Sequence, residues 1–421
     1  MTAAAAAMQA TAAPRTRQVV MGLLFAALGL VLWFGFGRAV EPSQSTTFGL
    51  TAGGAQATMP DWTVSSQPAL MILALVCVFL GAVELVRGFG RLTTLALGCV
   101  AGLFVFGFLV WAAAGRSVNL AGLLNSSLDK AVPITLAALS GVICERAGVV
   151  NIAIEGMMLM GAMMGALVGS LAQSSIVGLA GAVAAGGLLG LFHGWMSIKF
   201  RANQIVSGTV INIFSIGMTS YISQLFLQTN QKLNSPPLFP TAELPLLSKV
   251  PFLGPILFQN NPFVFAMFLF LIVLHVALFH TRWGLRHRSV GEHPKAADTL
   301  GINVFRTRYT AVLLSGMMAG FAGAYYTLGS VGRFDEVMTA GRGFIGLAAM
   351  IFGNWTPFGA FGASLLFGFS DALSSRAAIL GVAIPSQFLL MTPYIATMVV
   401  LAGVVGRSQM PAADGLPYEK E

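Results

Sequence analysis

Charged residues are scarce in this chain of 421 residues: Asp, Glu, Lys and Arg make up 9% of it, against about 25% in a soluble domain. Hydrophobic residues make up 56%, and apolar runs of about twenty residues recur, each long enough to cross a hydrocarbon core as a helix. A soluble protein would need several separate cores to bury so many runs. The composition therefore predicts an all-α fold, a polytopic transmembrane helical bundle.

The sequence also lacks the motifs that would give it a chemistry of its own. Its three cysteines lie in or beside apolar runs without a CxxC spacing, which indicates neither a disulfide framework nor a zinc site. It contains no Walker A sequence, so the chain cannot supply its own ATP site. HExxH and GxSxG are absent too, and nothing else indicates an enzyme centre. We expect a transport protein without catalytic residues or a bound metal.

The apolar runs predict about ten to twelve spans. Their approximate limits are 19–37, 68–86, 93–113, 130–144, 152–171, 177–198, 204–226, 263–280, 309–330, 343–354, 357–376 and 389–405. The run at 343–354 is too short to cross alone and suggests a half-helix or a re-entrant segment buried in protein. Fifteen of the 23 Lys and Arg residues fall on one side if the N-terminus is inside. This bias favours a cytoplasmic N-terminus and C-terminus.

Three segments differ in composition. Residues 1–115 hold three spans separated by a polar stretch, and we expect them to form an accessory module; the alternative is that they are ordinary core spans. Residues 116–408 would form the transport core, and residues 409–421 a cytoplasmic tail. GAVAAGGLLGLFHG (181–194) matches GAFGASLLFGFSDA (359–372) at five of fourteen positions. The two segments run oppositely in the predicted topology, which suggests an inverted repeat of the kind found in transporters.

Polar residues inside apolar runs are the candidates for a solute pathway, since charge at membrane depth is costly and usually functional. The candidates are Asn151, Glu155, Asn212, Asn354 and Asp371. Glu155 would lie one helical turn beyond Asn151 on the same face. The pair could line a cavity or cap a broken helix. Around Asn354, the stretch TAGRGFIGLAAMIFGNWTPFGA (339–360) interrupts the apolar pattern and would expose backbone groups near the midplane, or simply form a turn.

The polar island from Thr281 to Arg308 concentrates charge, with eight charged residues in 28. Its middle reads GEHPKAADTLGI (291–302). Pro294 is suited to the first position of a helix and Gly301 to its end, so a short helix is predicted between them. In a cytoplasmic loop such a helix suits docking to another protein. A solvated loop that only sets topology is the alternative.

GEHPKAADTLGI resembles the coupling loop of ABC-transporter permeases in the branched-chain amino acid, ribose and nucleoside permease family. ERAGVVNIAIEGMMLMGA (145–162) and the stretch at 339–360 resemble the nucleoside importers of that family. The resemblance covers roughly residues 118–408. It implies a permease subunit in a bacterial cytoplasmic membrane, paired with a second permease, often a paralogue. It also implies two cytoplasmic ATPase subunits that bind ATP and Mg, and an extracytoplasmic nucleoside-binding protein or lipoprotein. The chain itself would bind no cofactor.

The same resemblance assigns the ATPase-docking residues. They are Gly291, Glu292, Lys295, Ala296, Ala297, Gly301 and Ile302. The flanking Arg286, Arg288, Arg306 and Arg308 would anchor the loop at the lipid headgroups. Two other readings stay open: the same architecture carrying a branched-chain amino acid or a monosaccharide, and a secondary transporter driven by an ion gradient. A secondary transporter would require more buried acidic residues, for which only Glu155 and Asp371 are good candidates.

Overall fold

The computed structural model describes residues 3–51, 53, 59–382, 385, 387–388, 391, 394 and 409–420. Fourteen α-helices account for most of this part of the chain. They are α1 (Ala3–Leu30), α2 (Ser66–Val86), α3 (Thr93–Ala112), α4 (Leu120–Glu145), α5 (Ile154–Ala172), α6 (Ser175–Gly194), α7 (Gln204–Ile222), α8 (Leu253–Leu257), α9 (Pro262–His280), α10 (Arg282–Glu292), α11 (Pro294–Thr299), α12 (Val304–Ala324), α13 (Arg342–Phe352) and α14 (Pro357–Ile379). Within the described residues, nine helical segments are long and apolar enough to cross a membrane. The predicted all-α transmembrane bundle is confirmed.

Two small sheets connect the helices. In the first, β1 (Ser45–Gly49) lies between β2 (Trp62–Ser65), which is antiparallel to it, and β3 (Ser117–Asn119), which is parallel. The second sheet pairs β4 (Ala242–Glu243) with β5 (Gln259–Asn260). Because β3 immediately precedes α4, the first sheet ties the connection between α1 and α2 to the start of α4. Residues of α1–α3 also share a hydrophobic cluster with Leu123 of α4 and Ala372 of α14.

Helix α4 is the centre of the bundle, and it is longer than the predicted span at 130–144. Within its most apolar window 89% of the residues are buried, and it contacts α12, α13 and α14. The predicted span begins at Lys130 and leaves out the more polar residues 120–129, although a charged residue such as Lys130 is itself costly in a membrane helix. Lys130 is tolerated there because it pairs with Asp371 of α14. The prediction therefore missed the first ten residues of α4, from Leu120 to Asp129.

Glycines let α5, α6 and α12 pack with their backbones in contact. A Cβ atom at Gly316 would overlap the carbonyl oxygen of Gly186, and one at Gly161 would lie 2.6 Å from the Cα of Gly320. Small residues at four-residue spacing allow this close approach. These glycines therefore serve the close packing of the three helices. The pairing of Gly186 with Gly316 and of Ala182 with Gly320 also makes α6 antiparallel to α12.

The predicted inverted repeat falls on α6 and α14. Helix α12 is antiparallel to α4, since Ser315 contacts Ser140 and Tyr325 contacts Asp129. Helix α14 is also antiparallel to α4, since Asp371 contacts Lys130 while Arg376 lies near Gly122. Helices α6 and α14 therefore run in opposite directions, as the repeat requires. The repeat itself stays a prediction.

The polar island folds into two helices, α10 and α11, where one was predicted. Pro294 occupies the first turn of α11, and the His293 side chain accepts a hydrogen bond from the Ala296 N–H at 3.2 Å. Gly301 has a φ of +80°, a conformation that favours glycine, just after the helix ends. The short helix predicted from Pro294 is confirmed. We call this side of the bundle, where α10 and α11 lie, the α11 end.

Three further predictions concern element limits. The run at 343–354 forms the 11-residue helix α13, too short to cross a membrane alone, as expected. Asn151 does not share a helix face with Glu155, because α5 begins only at Ile154 and residues 147–153 are not helical. The predicted span at 389–405 lies outside the described residues except for 391 and 394.

Candidate functional site

The docking residues predicted around α11 divide into an exposed set and a buried set. Glu292, Lys295, Ala296 and Gly301 are exposed, and Ile302 is half-buried. Gly291 and Ala297 are buried, and Ala297 packs in a cluster with Val290, Val304 and Tyr418. The inward residues therefore hold α11 in place, while the others present a surface. The sequence pattern missed Leu300, whose side chain is 80% exposed at the end of α11.

The C-terminal segment, residues 409–420, packs against the end of α10 and against α11. Its Ala413 N–H donates to the Gly291 carbonyl at 2.9 Å, and its Ala412 N–H donates to the Glu292 carboxylate at 3.2 Å. Lys420 pairs with Asp298 at 3.7 Å. We call residues 409–420 the strap. It joins α11 to the ends of the neighbouring helices.

Arg308 anchors the strap from the first turns of α12. Its side chain is only 2% exposed and donates from Nη1 to the Leu416 carbonyl at 2.8 Å. The expectation that Arg308 reaches the lipid headgroups is therefore wrong, because the guanidinium is enclosed by protein. Arg288 is also occupied, since it donates to the Leu278 carbonyl at 3.0 Å and stacks on Phe279.

A pair of carboxyl groups is buried beneath the strap. Asp414 lies next to Glu145, the last residue of α4, which also accepts a hydrogen bond from Trp355 Nε1 at 2.6 Å. Burial, with the adjoining Glu145 carboxyl, raises the pKa of Asp414 well above its usual value. Two buried carboxylates that adjoin each other disfavour each other's ionised form, which is the physical cause of this shift besides burial. No sequence pattern pointed to this contact, since the two residues are far apart in the chain.

Residues 147–153 lead from the α11 end into the bundle without forming a helix, and neighbouring side chains satisfy their backbone. His193 bonds the Val150 carbonyl at 2.9 Å, and Gln204 accepts from the Val150 N–H at 2.7 Å. Asn212 donates to the Ile152 carbonyl at 2.9 Å and accepts from the Gly156 N–H at 2.8 Å. Non-helical backbone at membrane depth requires such partners. The side chains of His193, Gln204 and Asn212 therefore stabilise the non-helical backbone of this segment.

Asn151 and Glu155 occupy the start of α5. Asn151 is fully buried and donates to the Ser315 hydroxyl at 2.9 Å. Glu155 accepts three hydrogen bonds, from the Thr339 hydroxyl at 2.6 Å, the Gly341 N–H at 2.8 Å and the Gly343 N–H at 2.6 Å. The carboxylate thus sits on the N-terminus of α13, where unpaired N–H groups and the helix dipole favour negative charge. Of the two roles considered for Glu155, the structure displays capping of the broken helix.

The other end of α13 carries Asn354, about 16 Å away along an 11-residue helix. Asn354 is exposed and has a φ of +55°. Its side chain accepts from the Gln409 N–H at 2.8 Å, and its carbonyl accepts from Arg146 at 3.2 Å. Asn354 therefore lies at the α11 end in a turn joined to the strap. It is not brought together with Glu155 and Asp371.

A charged cluster forms where α4, α13 and α14 meet. Asp371 pairs with Lys130 at 3.1 Å and also with Arg342 in the first turn of α13. All three side chains are partly exposed. Lys130 lies 15 residues before the end of α4, or about 22 Å from the α11 end. Sequence reasoning selected Asp371 but missed its two partners, because both stood at the limits of predicted spans; the signal available was their charge at membrane depth.

A cavity of about 210 Å³ adjoins this cluster. It is lined by Ile134, Ala340, Arg342, Ile345, Phe367, Asp371 and Tyr394. Sites that enclose a drug-sized ligand usually measure roughly 300–1,000 Å³. The described residues thus form a charged, partly apolar cavity that does not enclose a whole solute of that size.

Comparison with known proteins identifies relatives of this chain. The family model described as "Branched-chain amino acid transport system / permease component" matches residues 122–406. The guanosine ABC transporter permease protein NupQ of Bacillus subtilis (strain 168) is 41% identical over 307 residues, which cover 71% of this chain and 96% of that protein. No solved structure matches the chain at a significant level.

Two further relatives differ in the solute that their names print. The nucleoside ABC transporter permease protein NupC of Lactococcus lactis subsp. cremoris (strain MG1363) is 41% identical over 310 residues, covering 71% of this chain and 96% of that protein. TsgC13 of Haloferax volcanii is named provisionally for glucose ABC transport. It is 32% identical over 328 residues, which cover 72% of this chain and 98% of that protein. Each of the two bacteria above also holds a second ABC transporter permease similar to this chain.

Proposed function

The chain belongs to the family of branched-chain amino acid transport system permease components, and from this we propose that it is the permease subunit of an ABC importer for nucleosides. The two relatives at 41% identity are named for guanosine and for nucleosides, and each is covered over 96% of its length. The observation that carries the proposal is α11, a packed and partly exposed helix on a chain without a Walker A sequence. A permease of an ABC transporter without an ATP site of its own would receive its energy from partner ATPases.

The partners follow from this role. Cytoplasmic ATPase subunits, which hold ATP and Mg, would dock on Lys295, Ala296 and Leu300 of the α11 end. That end then faces the cytoplasm, in agreement with the Lys and Arg bias. A second permease would complete the transporter, and the similar permease pairs in two bacteria support a paralogue in that place. An extracytoplasmic binding protein would deliver the nucleoside.

The accessory role of residues 1–115 remains part of the proposal. NupQ aligns over 96% of its own length yet covers only 71% of this chain, and the family match begins at residue 122. Both observations support a place for α1–α3 outside the shared transport core. Their contacts with Leu123 and Ala372 attach them to α4 and α14.

We place the solute pathway at the cluster of Lys130, Asp371 and Arg342. A nucleoside offers ribose hydroxyls and base donors and acceptors, which suit a carboxylate held between two cations beside an apolar wall. The cavity is small for a nucleoside, so surfaces of the second permease would complete it. Alternating access would then open this site to each side in turn.

Another solute is the second candidate, because the family description prints branched-chain amino acids and TsgC13 is named for glucose. The deciding measurement is ATP hydrolysis by the reconstituted complex with its binding protein, against a panel of nucleosides, glucose, ribose and leucine. We expect stimulation by nucleosides alone. A response to leucine or to a sugar without one to nucleosides would replace the proposed solute, and uptake driven by an ion gradient without ATPases would overturn the ABC assignment.

Replacing Asp371 with Asn tests the pathway. The amide keeps the shape but leaves Lys130 and Arg342 without their counter-charge, so nucleoside uptake should fall by about tenfold or more, the equivalent of one lost charge-assisted bond. Initial rates over a range of nucleoside concentrations, normalised to inserted protein, measure the effect. Asp335→Asn is the matched control, because Asp335 pairs with Arg333 at an exposed site. A D371N protein with normal affinity and rate would exclude the cluster from the pathway.

A further inference from the structure

A groove of about 640 Å³ runs between α10, α11 and α12. Arg286 of α10 and Arg306 of α12 both line it and are exposed. Unlike Arg288 and Arg308, they have no ion pair or hydrogen bond to another described residue through their side chains. None of the described residues lining the groove is acidic. The polar end of the groove therefore carries two uncompensated positive charges.

The groove changes character along α12. Beyond Arg306 its wall continues through Thr307 and Thr310 to Leu313 and Leu314, one face of the helix over about 12 Å. These residues belong to the segment Val304–Ser330, which is apolar and long enough to span a membrane. The groove thus passes from cationic groups at the α11 end, through hydroxyls, to an apolar wall at membrane depth.

Two aromatic groups border the cationic end. Trp283 lines the groove and is 41% exposed, and tryptophan is enriched where a membrane meets water. His287 is buried, with its Nε2 bonding the Ile143 carbonyl at 2.7 Å. Burial lowers the pKa of His287 to about 4, so this ring adds no charge at neutral pH. The attraction for an anion then comes from Arg286 and Arg306.

We propose that this groove binds a phospholipid with an anionic headgroup. Arg286 and Arg306 would hold the phosphate with charge-assisted hydrogen bonds, the hydroxyls of Thr307 and Thr310 would contact the glycerol region, and an acyl chain would lie along Leu313 and Leu314. A partner ATPase fits less well, because a soluble protein cannot reach the apolar wall within the membrane span. The lipid would lie against Leu300, Gly301 and Ile302, next to the exposed end of α11.

The test compares lipid retention by the full-length chain in its complex. The complex is extracted into nanodiscs that contain equal amounts of phosphatidylglycerol and phosphatidylcholine, and retained lipids are counted by native mass spectrometry. We expect the wild type to prefer phosphatidylglycerol and the double variant R286Q/R306Q to lose about thirtyfold of that preference, about fivefold for each arginine. Arg282→Gln is the matched control, since Arg282 lies on the same helix but does not line the groove.

Two results would overturn the proposal. One is an unchanged preference for phosphatidylglycerol in the double variant whose thermal stability equals that of the wild type. The other is a photo-crosslinking amino acid at position 314 that captures the ATPase or the second permease and no lipid. Neither result bears on solute identity, because nucleoside stimulation of ATP hydrolysis is measured separately. If R286Q/R306Q unfolds, crosslinking from position 314 in the otherwise wild-type chain tests by itself whether the groove holds a lipid.

Discussion

Replacing Leu300 with Asp should abolish nucleoside-stimulated ATP hydrolysis while the chain stays folded and inserted. Leu300 is 80% exposed at the end of α11, so the change removes no packing within the chain. In a docked complex the same position would be a buried apolar anchor, and such anchors contribute about 2 kcal/mol or more. Introducing a charge there should weaken ATPase binding by at least about thirtyfold. Co-purification of the ATPase and nucleoside-stimulated hydrolysis measure the two effects.

Leu246→Asp is the control for this experiment. Leu246 is also 80% exposed and lies in the loop between α7 and α8, away from α11. The same substitution there should leave docking and hydrolysis unchanged. Ala297 would be a poor test position, because it is 2% exposed and a charge there would disrupt packing directly. Normal ATPase recovery with L300D would show that docking occurs elsewhere.

Replacing Glu155 with Gln should lower both stability and transport. The carboxylate accepts three hydrogen bonds at the N-terminus of α13, while an amide has one oxygen and turns its NH2 group toward a donor. Buried donors left unsatisfied cost about 1–3 kcal/mol each, so we expect a loss of about 2–5 kcal/mol and displacement of α13. Thermal unfolding of the purified chain and uptake by the reconstituted complex measure the two consequences.

A graded control separates capping from a direct role in binding. Thr339→Val removes one of the three donors and leaves the two backbone bonds to Glu155 intact, so its effect should be about 1 kcal/mol. If capping is the role, transport should fall in step with stability across the two variants. An E155Q protein with normal thermal stability and altered nucleoside affinity would instead assign Glu155 to the pathway.

The sequence predicted elements whose signals are local. Apolar runs predicted the transmembrane helices, and Pro294 with Gly301 predicted α11, because each signal lies within the element that it describes. The short length of the run at 343–354 likewise predicted α13. Element limits were wrong where a charge entered a helix, as at Lys130, because the partner that makes this tolerable is distant in sequence.

Contacts between distant segments could not be predicted. The strap appeared in the sequence as a tail, since nothing in residues 409–420 indicates that Asp414 meets Glu145 or that Leu416 meets Arg308. Choosing between the two roles left open for Glu155 required the positions of Gly341 and Gly343, which are nearly two hundred residues away in the sequence. Asn354 and Asp371, both predicted to line one solute pathway, lie far apart in the structure. Asn354 follows the end of α13, whereas the Asp371 cluster lies at its start.

The glycine contacts among α5, α6 and α12 have a mechanical consequence. Two backbones in direct contact offer no side-chain rotamers that could be exchanged for a second packing arrangement, so sliding would create steric overlap at once. In the proposed transport cycle, we therefore expect these three helices to move as one rigid unit. The Arg308 side chain ties the strap to the first turns of α12, so we expect a displacement of α11 and the strap to shift this unit as a whole.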